Sequence, residues 1–151
     1  MASASLTTPL GALCVTEEGG AITALAWHDA FMPQDTPLLR RALEQLDAYF
    51  AGELHQFDLP TRISGTDFQR QVCDAIASIP HGETRSYGDL AKALNVPAQS
   101  IGTGCGGNPI PIIIPCHRVL GTNGLGGFSG RGGVETKVWL LRHEGAGGLL
   151  I

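Results

Sequence analysis

Glycine and proline punctuate this chain so densely that they set where its elements begin and end: 21 of its 151 residues are glycine and 9 are proline. Glycine loses the most backbone entropy on ordering, and proline has no amide hydrogen to donate, so both collect at element boundaries. Ser5 to Thr16 carries a turn signal at Pro9 and Gly11 between apolar or β-branched stretches, and Gly19-Gly20 precedes the apolar Ala21 to Trp27. These read as short strands joined by hairpins. Between Pro37 and Gly52, Leu39, Leu43, Leu46 and Phe50 recur at helical spacing. Proline near the start and glycine past the end is the asymmetry expected of a helix. Phe57 to Ser64, with Pro60 inside it and Gly65 after it, reads as a linker.

A second helix is predicted from Thr66. Thr66 and Gln69 have capping-box spacing, and Phe68, Val72, Ala75, Ile76 and Ile79 line one face before Pro80 and Gly82 end it. A third begins at Ser86, with Asp89 completing a weaker capping box and Leu90 and Leu94 on its apolar side. Asn95-Val96-Pro97 breaks it, and a short element from Ala98 to about Gly106 follows at once. Two short helices joined by a tight turn fit a helix-turn-helix. The glycines of the second element are poor helix formers but permit close backbone approach; a loop with no partner is the alternative. Ile110 to Ile114, bounded by prolines, is expected to be a buried strand or extended core segment. Gly121 to Gly133 reads as a loop. Val134 to His143 reads as a final helix with Val134, Val138 and Leu141 on one face and Lys137 and Arg142 outside it.

With 43% hydrophobic and 16% charged residues, there is enough apolar material for a packed core, which argues against disorder. No apolar run approaches the roughly 18 residues a membrane helix needs, and Met1 to Leu10 lacks the features of a signal peptide. The expectation is a cytoplasmic protein with no membrane partner. Cys14, Cys73, Cys105 and Cys116 form no C-x-x-C pair and no zinc-like spacing, so no metal is expected. The first three read as core packing. The formal net charge of -4 is uneven. Residues 1–63 hold 8 acidic and 3 basic side chains, giving -5, and residues 64–151 hold 6 and 7, giving +1. A nucleic acid would meet the second part.

Pro115-Cys116-His117-Arg118 is the most informative stretch. A thiolate is a strong nucleophile and a neutral thiol is not. A neighbouring imidazole can take the proton, and through a water more plausibly than directly, because adjacent side chains diverge. His117 then needs an acceptor on its second nitrogen, for which Glu144 is a candidate. The alternative is a structural cysteine beside a core histidine.

Asn108-Pro109 through Ile114-Pro115-Cys116-His117-Arg118-Val119 resembles the active-site signature of the O6-alkylguanine-DNA alkyltransferases. Phe128-Ser129-Gly130, the run from Trp139 to Gly145, Phe68-Gln69 and Ser86 to Ala91 resemble further family segments. Thr8 to Gly11 and Tyr49 to Glu53 look like its N-terminal part. The resemblance implies an α/β plus α architecture: a ribonuclease-H-like α/β domain over 1–63 with its linker, then a winged-helix (helix-turn-helix) domain over 64–151. It implies direct, stoichiometric and irreversible transfer of an alkyl group from O6-alkylguanine to Cys116, with no cofactor. The partner would be double-stranded DNA, entered from the minor groove with the base flipped, and the protein a monomer. Carried over, Cys116 is the acceptor, His117 the water-linked base and Glu144 its orienting partner. Asn108 holds the turn, and Tyr87 assists flipping and bonds the leaving base. The Ser129 backbone N–H meets the guanine oxygen, and the Cys116 and Val119 carbonyls meet its exocyclic amine. Tyr87, Gln99, Ser100, Gly102 and Thr122 would contact DNA.

The chain departs from the family at Gln99, where relatives usually carry an arginine that fills the gap left by the flipped base. The turn before it is about two residues short, and the stretch from Gly130 to Val134 is about two long. An alkylated-DNA-binding protein with poor or no transfer activity is therefore the alternative. A multiple-turnover cysteine hydrolase and a transcription regulator are more distant rivals.

Overall fold

The computed structural model describes residues 1–121, 124–128 and 130–146. Residue contacts divide the chain into two compact units, the first Met1–Ser64 and the second starting at Gly65.

In the first unit β1 (Ala2–Thr8), β2 (Gly11–Glu18) and β3 (Ala21–Ala26) form an antiparallel sheet in that order. The first hairpin closes at Thr8 opposite Gly11, where Thr8 Oγ1 accepts from Leu10 N at 3.0 Å. The second closes at Glu18 opposite Ala21, with Gly19 and Gly20 at φ 58° and 81°. Two successive positive φ values match the twist of paired strands, and glycine adopts them without a Cβ clash. α1 (Pro37–Phe50) packs on β1 and β2. Its N-cap is Thr36, whose Oγ1 accepts from Leu39 N at 3.1 Å. The buried stripe is Leu39, Ala42, Leu46 and Tyr49, while the expected Leu43 and Phe50 are half-buried. The helix is thus rotated so that small Ala42 faces the sheet and the Tyr49 ring lies inside, 5.4 Å from the ring of Phe57.

The expected linker is partly structural. Ile22 N donates to Pro60 O at 2.8 Å and Arg62 N to Ile22 O at 2.9 Å, so the segment pairs in parallel with β3, and Ile63 is buried. The cause is the free edge of β3, whose backbone groups need partners.

The second unit holds α2 (Asp67–Ala77), β4 (Arg85–Ser86), α3 (Tyr87–Leu94), α4 (Ala98–Gly106), a 3-10 turn (Cys116–Arg118), β5 (Val119–Leu120) and α5 (Val134–His143). β5 pairs in parallel with β4. The capping expectations are exchanged. Ser86 and Asp89 form the full reciprocal box, whereas at α2 only the Thr66 half forms. The Gln69 side chain instead donates to Gly104 O of α4 at 2.8 Å. Asn95 ends α3 in the left-handed conformation at φ 57°, and α4 starts after Pro97. α4 is helical despite its glycines because Gly104 seats it against α2: a Cβ there would lie 2.7 Å from Val72 Cγ1.

Two expectations are corrected here. Ile110 to Ile114 is buried but not extended. It folds into a tight turn in which Ile114 N donates to Ile110 O at 2.9 Å and Ile112 takes φ 72°. On α5 the inner face is Thr136, Lys137, Leu140 and Leu141, while Val134 is exposed. Lys137, placed outside by its charge, is fully buried because carbonyl oxygens receive its ammonium.

Candidate active site

The turn that carries Cys116 is fixed from within. Asn108, itself buried, donates from Nδ2 to Ile114 O at 2.9 Å and accepts from Ile110 N at 3.0 Å. One side chain thereby satisfies both ends of a turn that places β-branched Ile112 in a sparsely populated conformation. Cys116 N then donates to Ile114 O at 2.8 Å, and the 3-10 turn begins.

Cys116 is 5% exposed and forms part of the wall of a cavity of about 510 Å³. Among the described residues, Tyr87, Gly102, Cys105, Gly106, Gly127 and Phe128 also line it. Burial pushes the Cys116 thiol up from its ordinary value, and the Asn108 side chain and Lys137 pull it partly back. Burial likewise raises the Tyr87 phenol, so it keeps its proton, while a Gly127 backbone bond acts in the opposite sense.

Behind the cysteine lies a buried cluster of charge. His117 Nε2 is 2.7 Å from Glu144 Oε2; Arg118 reaches Glu144 Oε1 from Nε at 2.8 Å and Oε2 from Nη2 at 3.0 Å. Arg118 Nη1 also donates to Ile79 O at 2.6 Å. A carboxylate only accepts, so Nε2 carries the hydrogen and Nδ1 presents its lone pair. Nδ1 is buried and has no protein partner. Burial depresses the His117 pKa, although Glu144 opposes this. Burial is the leading cause, and the charge of Arg118, which itself binds the Glu144 carboxylate, adds to it. The ring stays neutral and able to accept a proton.

Cys116, His117, Glu144, Asn108 and Tyr87 thus gather in one unit, with Gly102 on the cavity wall. Val119 is fully buried, and its carbonyl accepts from Lys137 Nζ at 2.6 Å. Gln99 is exposed and Ser100 half-buried in the first turn of α4. Thr122 and Ser129 lie outside the described residues. The sequence reading missed Arg118, Lys137 and Cys105, the last of which is buried as expected yet borders the cavity. Arg118 lies inside the Pro115-Cys116-His117-Arg118 stretch, but nothing in that spacing marks it as a partner of Glu144. Among the described residues, no three His, Cys, Asp or Glu side chains are grouped so that they could hold a metal ion, and no helix is long and apolar enough to cross a membrane.

Fold and site together define a two-unit protein whose second unit sets a buried cysteine on a cavity wall, next in sequence to a buried imidazole held by a carboxylate. The chain belongs to the 6-O-methylguanine DNA methyltransferase family: the family's DNA binding domain matches residues 67–146 and its ribonuclease-like domain residues 1–63. It is 41% identical over 150 residues to the methylated-DNA–protein-cysteine methyltransferase of Mycobacterium tuberculosis, covering 93% of this chain and 90% of the relative. It is 40% identical over 151 residues to the constitutive methyltransferase of that name from Bacillus subtilis, with 91% of each covered. The crystal structure of the Mycobacterium tuberculosis protein OGT in complex with DNA superposes with a TM-score of 0.86 at 40% identity, covering 97% of this chain and 94% of that one.

Proposed function

We propose that this chain repairs double-stranded DNA by a direct, single-turnover transfer: an alkyl group on O6 of guanine moves to Cys116 and stays there. The observation that supports it most is the cavity wall at Cys116 with His117 behind it, Nε2 held by Glu144 and Nδ1 left as a proton acceptor.

The Cys116 proton passes through a water to His117 Nδ1. The thiolate attacks the saturated carbon in line, the S–C bond forms as the C–O bond breaks, and the electron pair goes to the guanine oxygen. Donors aimed at that oxygen lower the barrier. The Tyr87 hydroxyl, which keeps its proton, is one. The Cys116 and Val119 carbonyls receive the exocyclic amine. The product is a thioether with an unreactive S–C bond, so the chain acts once, without a cofactor.

In this reading β4, β5 and the helices form a winged-helix domain over 64–151, following a ribonuclease-H-like domain over 1–63. α4 enters the minor groove through Gln99, Ser100 and Gly102, with Tyr87 beside the flipped nucleotide. Extrusion costs a few kcal/mol and is cheapest for a weakly paired base. The protein works as a cytoplasmic monomer.

Intact-mass spectrometry after mixing with O6-methylguanine duplex DNA tests this. One methyl should be gained by the chain and none by Cys116→Ser. Uncharged Gln99 favours a second reading, recognition without transfer, which predicts DNA binding with no mass gain.

A further inference from the structure

We infer that Cys105 and Cys116 together form a dithiol site that takes up one monosubstituted trivalent arsenical, whose organic group lies in the cavity. The inference concerns the thiols themselves and holds whether or not the transfer reading does.

The transfer uses one thiol, but two border the cavity. Cys105 stands in the last turn of α4 and Cys116 opens the 3-10 turn. One residue ties the two segments together. Asn108 N donates to Cys105 O at 3.2 Å, and Asn108 Nδ2 donates to Ile114 O at 2.9 Å, the carbonyl that also accepts from Cys116 N at 2.8 Å. Cys14 and Cys73 are buried and are not among the described residues of the wall; the Cys73 sulfur accepts from Gln69 Nε2 at 3.4 Å. The rest of the wall suits an organic group. Tyr87 and Phe128 supply aromatic rings, and Gly102, Gly106 and Gly127 leave open space where a Cβ would stand. A volume of about 510 Å³ is that of a small-molecule pocket, ample for a phenyl ring.

In water an arsine oxide is the hydrate R–As(OH)2. With two thiols it gives R–As(SR′)2 and two waters: two As–O bonds break, two As–S bonds form, each thiol proton leaves with a hydroxide, and arsenic stays trivalent. The product is uncharged, which matters in this place. Burial, and then the neighbouring Cys116, push the Cys105 thiol up to about 12, and burial raises Cys116 as well. Two thiolates side by side would be costly here, whereas a neutral bis-thiolate carries no charge to desolvate. A bare metal ion fits less well: among the described residues no three His, Cys, Asp or Glu side chains are grouped to hold one, and an ion leaves the apolar wall unfilled. Once the first As–S bond exists the second forms within one molecule, so the pair holds arsenic far more firmly than either thiol alone.

Phenylarsine oxide is the probe, added to the full chain in excess glutathione and followed by intact-mass spectrometry, with folding checked by circular dichroism. This readout needs no DNA, so its failure is separable from failure of the transfer reading. The chain should gain one phenylarsenic unit that glutathione leaves in place and 2,3-dimercaptopropanol removes. Cys105→Ser, Cys105→Ala and Cys116→Ser should each weaken uptake by about a hundredfold or more, the advantage that a second tethered bond confers. Cys73→Ala should still take up one unit. The second readout is methyl transfer from O6-methylguanine DNA, each protein compared with its own untreated rate: the probe should block wild type and spare Cys105→Ala. No gain in wild type, a gain that glutathione strips, a folded Cys105 variant that binds like wild type, or loss of uptake in folded Cys73→Ala would overturn the inference.

Discussion

The buried Glu144 carboxylate accepts hydrogen bonds from His117 and from two nitrogens of Arg118. The effective cost of burying an ion is several kcal/mol, and breaking a buried pair by removing one partner costs about 3–5 kcal/mol. Arg118→Met should therefore lower stability by about that much in urea denaturation. It should also raise the His117 pKa, visible by NMR titration of the imidazole, because Glu144 would then seek its charge balance from the ring. A variant as stable as wild type with an unmoved histidine would refute the charge-balance account. The same histidine makes stability depend on pH. Its folded pKa lies below the ordinary 6.5 because burial disfavours the charged ring. On acidification the unfolded chain takes up this proton first, so the stability present above pH 6.5 is lost as pH falls through the depressed folded value. The urea midpoint should decline from about pH 6.5 downward, and His117→Gln should show a shallower decline over the same range.

At the level of elements, the contact between α2 and α4 depends on a missing side chain. A Cβ on Gly104 would sit within 3.0 Å of three Val72 side-chain atoms. Gly104→Ala should thus destabilise by about 1–3 kcal/mol through overpacking, although alanine is the better helix former. Gly106→Ala, in the same helix with open space around it, should be neutral or stabilising by up to about 1 kcal/mol. Thermal melts of the two variants decide the matter; equal effects would show that propensity rules here. The helices, the hairpins and their order were legible because apolar spacing and glycine or proline punctuation agreed. What was not legible follows from tertiary partners. Lys137 was placed on the wrong face because an apolar–polar pattern cannot see two carbonyl oxygens waiting 2.6 and 3.0 Å away. Ile110 to Ile114 passed for an extended segment because the positive φ of its turn falls on β-branched Ile112, where glycine or asparagine would be expected, and Asn108 braces the turn from outside. The bonds that pair residues 60–62 with β3 come from a strand far away in sequence. The proposed site was readable chiefly as a motif: the spacing of Cys116 and His117 suggested the pair, but the arginine that shares Glu144 with the ring could be recognised only with Glu144 in view.

Across the whole molecule, charge limits how DNA can be held. Positions 64–151 contain seven basic residues, but Arg118 and Lys137 are buried, and Arg70 and Arg85 are paired with Asp67 and Glu83. Along α3 and α4, Lys92 is offset by Asp89. The proposed DNA face therefore has little charge with which to displace counterions, and backbone N–H groups and hydroxyls must meet most phosphates. Each phosphate neutralised by lysine or arginine contributes about -0.9 to the slope of log affinity against log salt. For duplex DNA carrying O6-methylguanine, that slope should be no steeper than about -3. Gln99→Arg adds one cation at the exposed start of α4, where a guanidinium also stacks better than an amide. It should steepen the slope by about one and raise the single-turnover rate on duplex DNA, with little gain on the free alkylated base, which needs no flipping. A steeper slope without a faster reaction would mean that position 99 meets phosphate rather than the gap in the base stack. No change in either would remove it from the DNA face altogether.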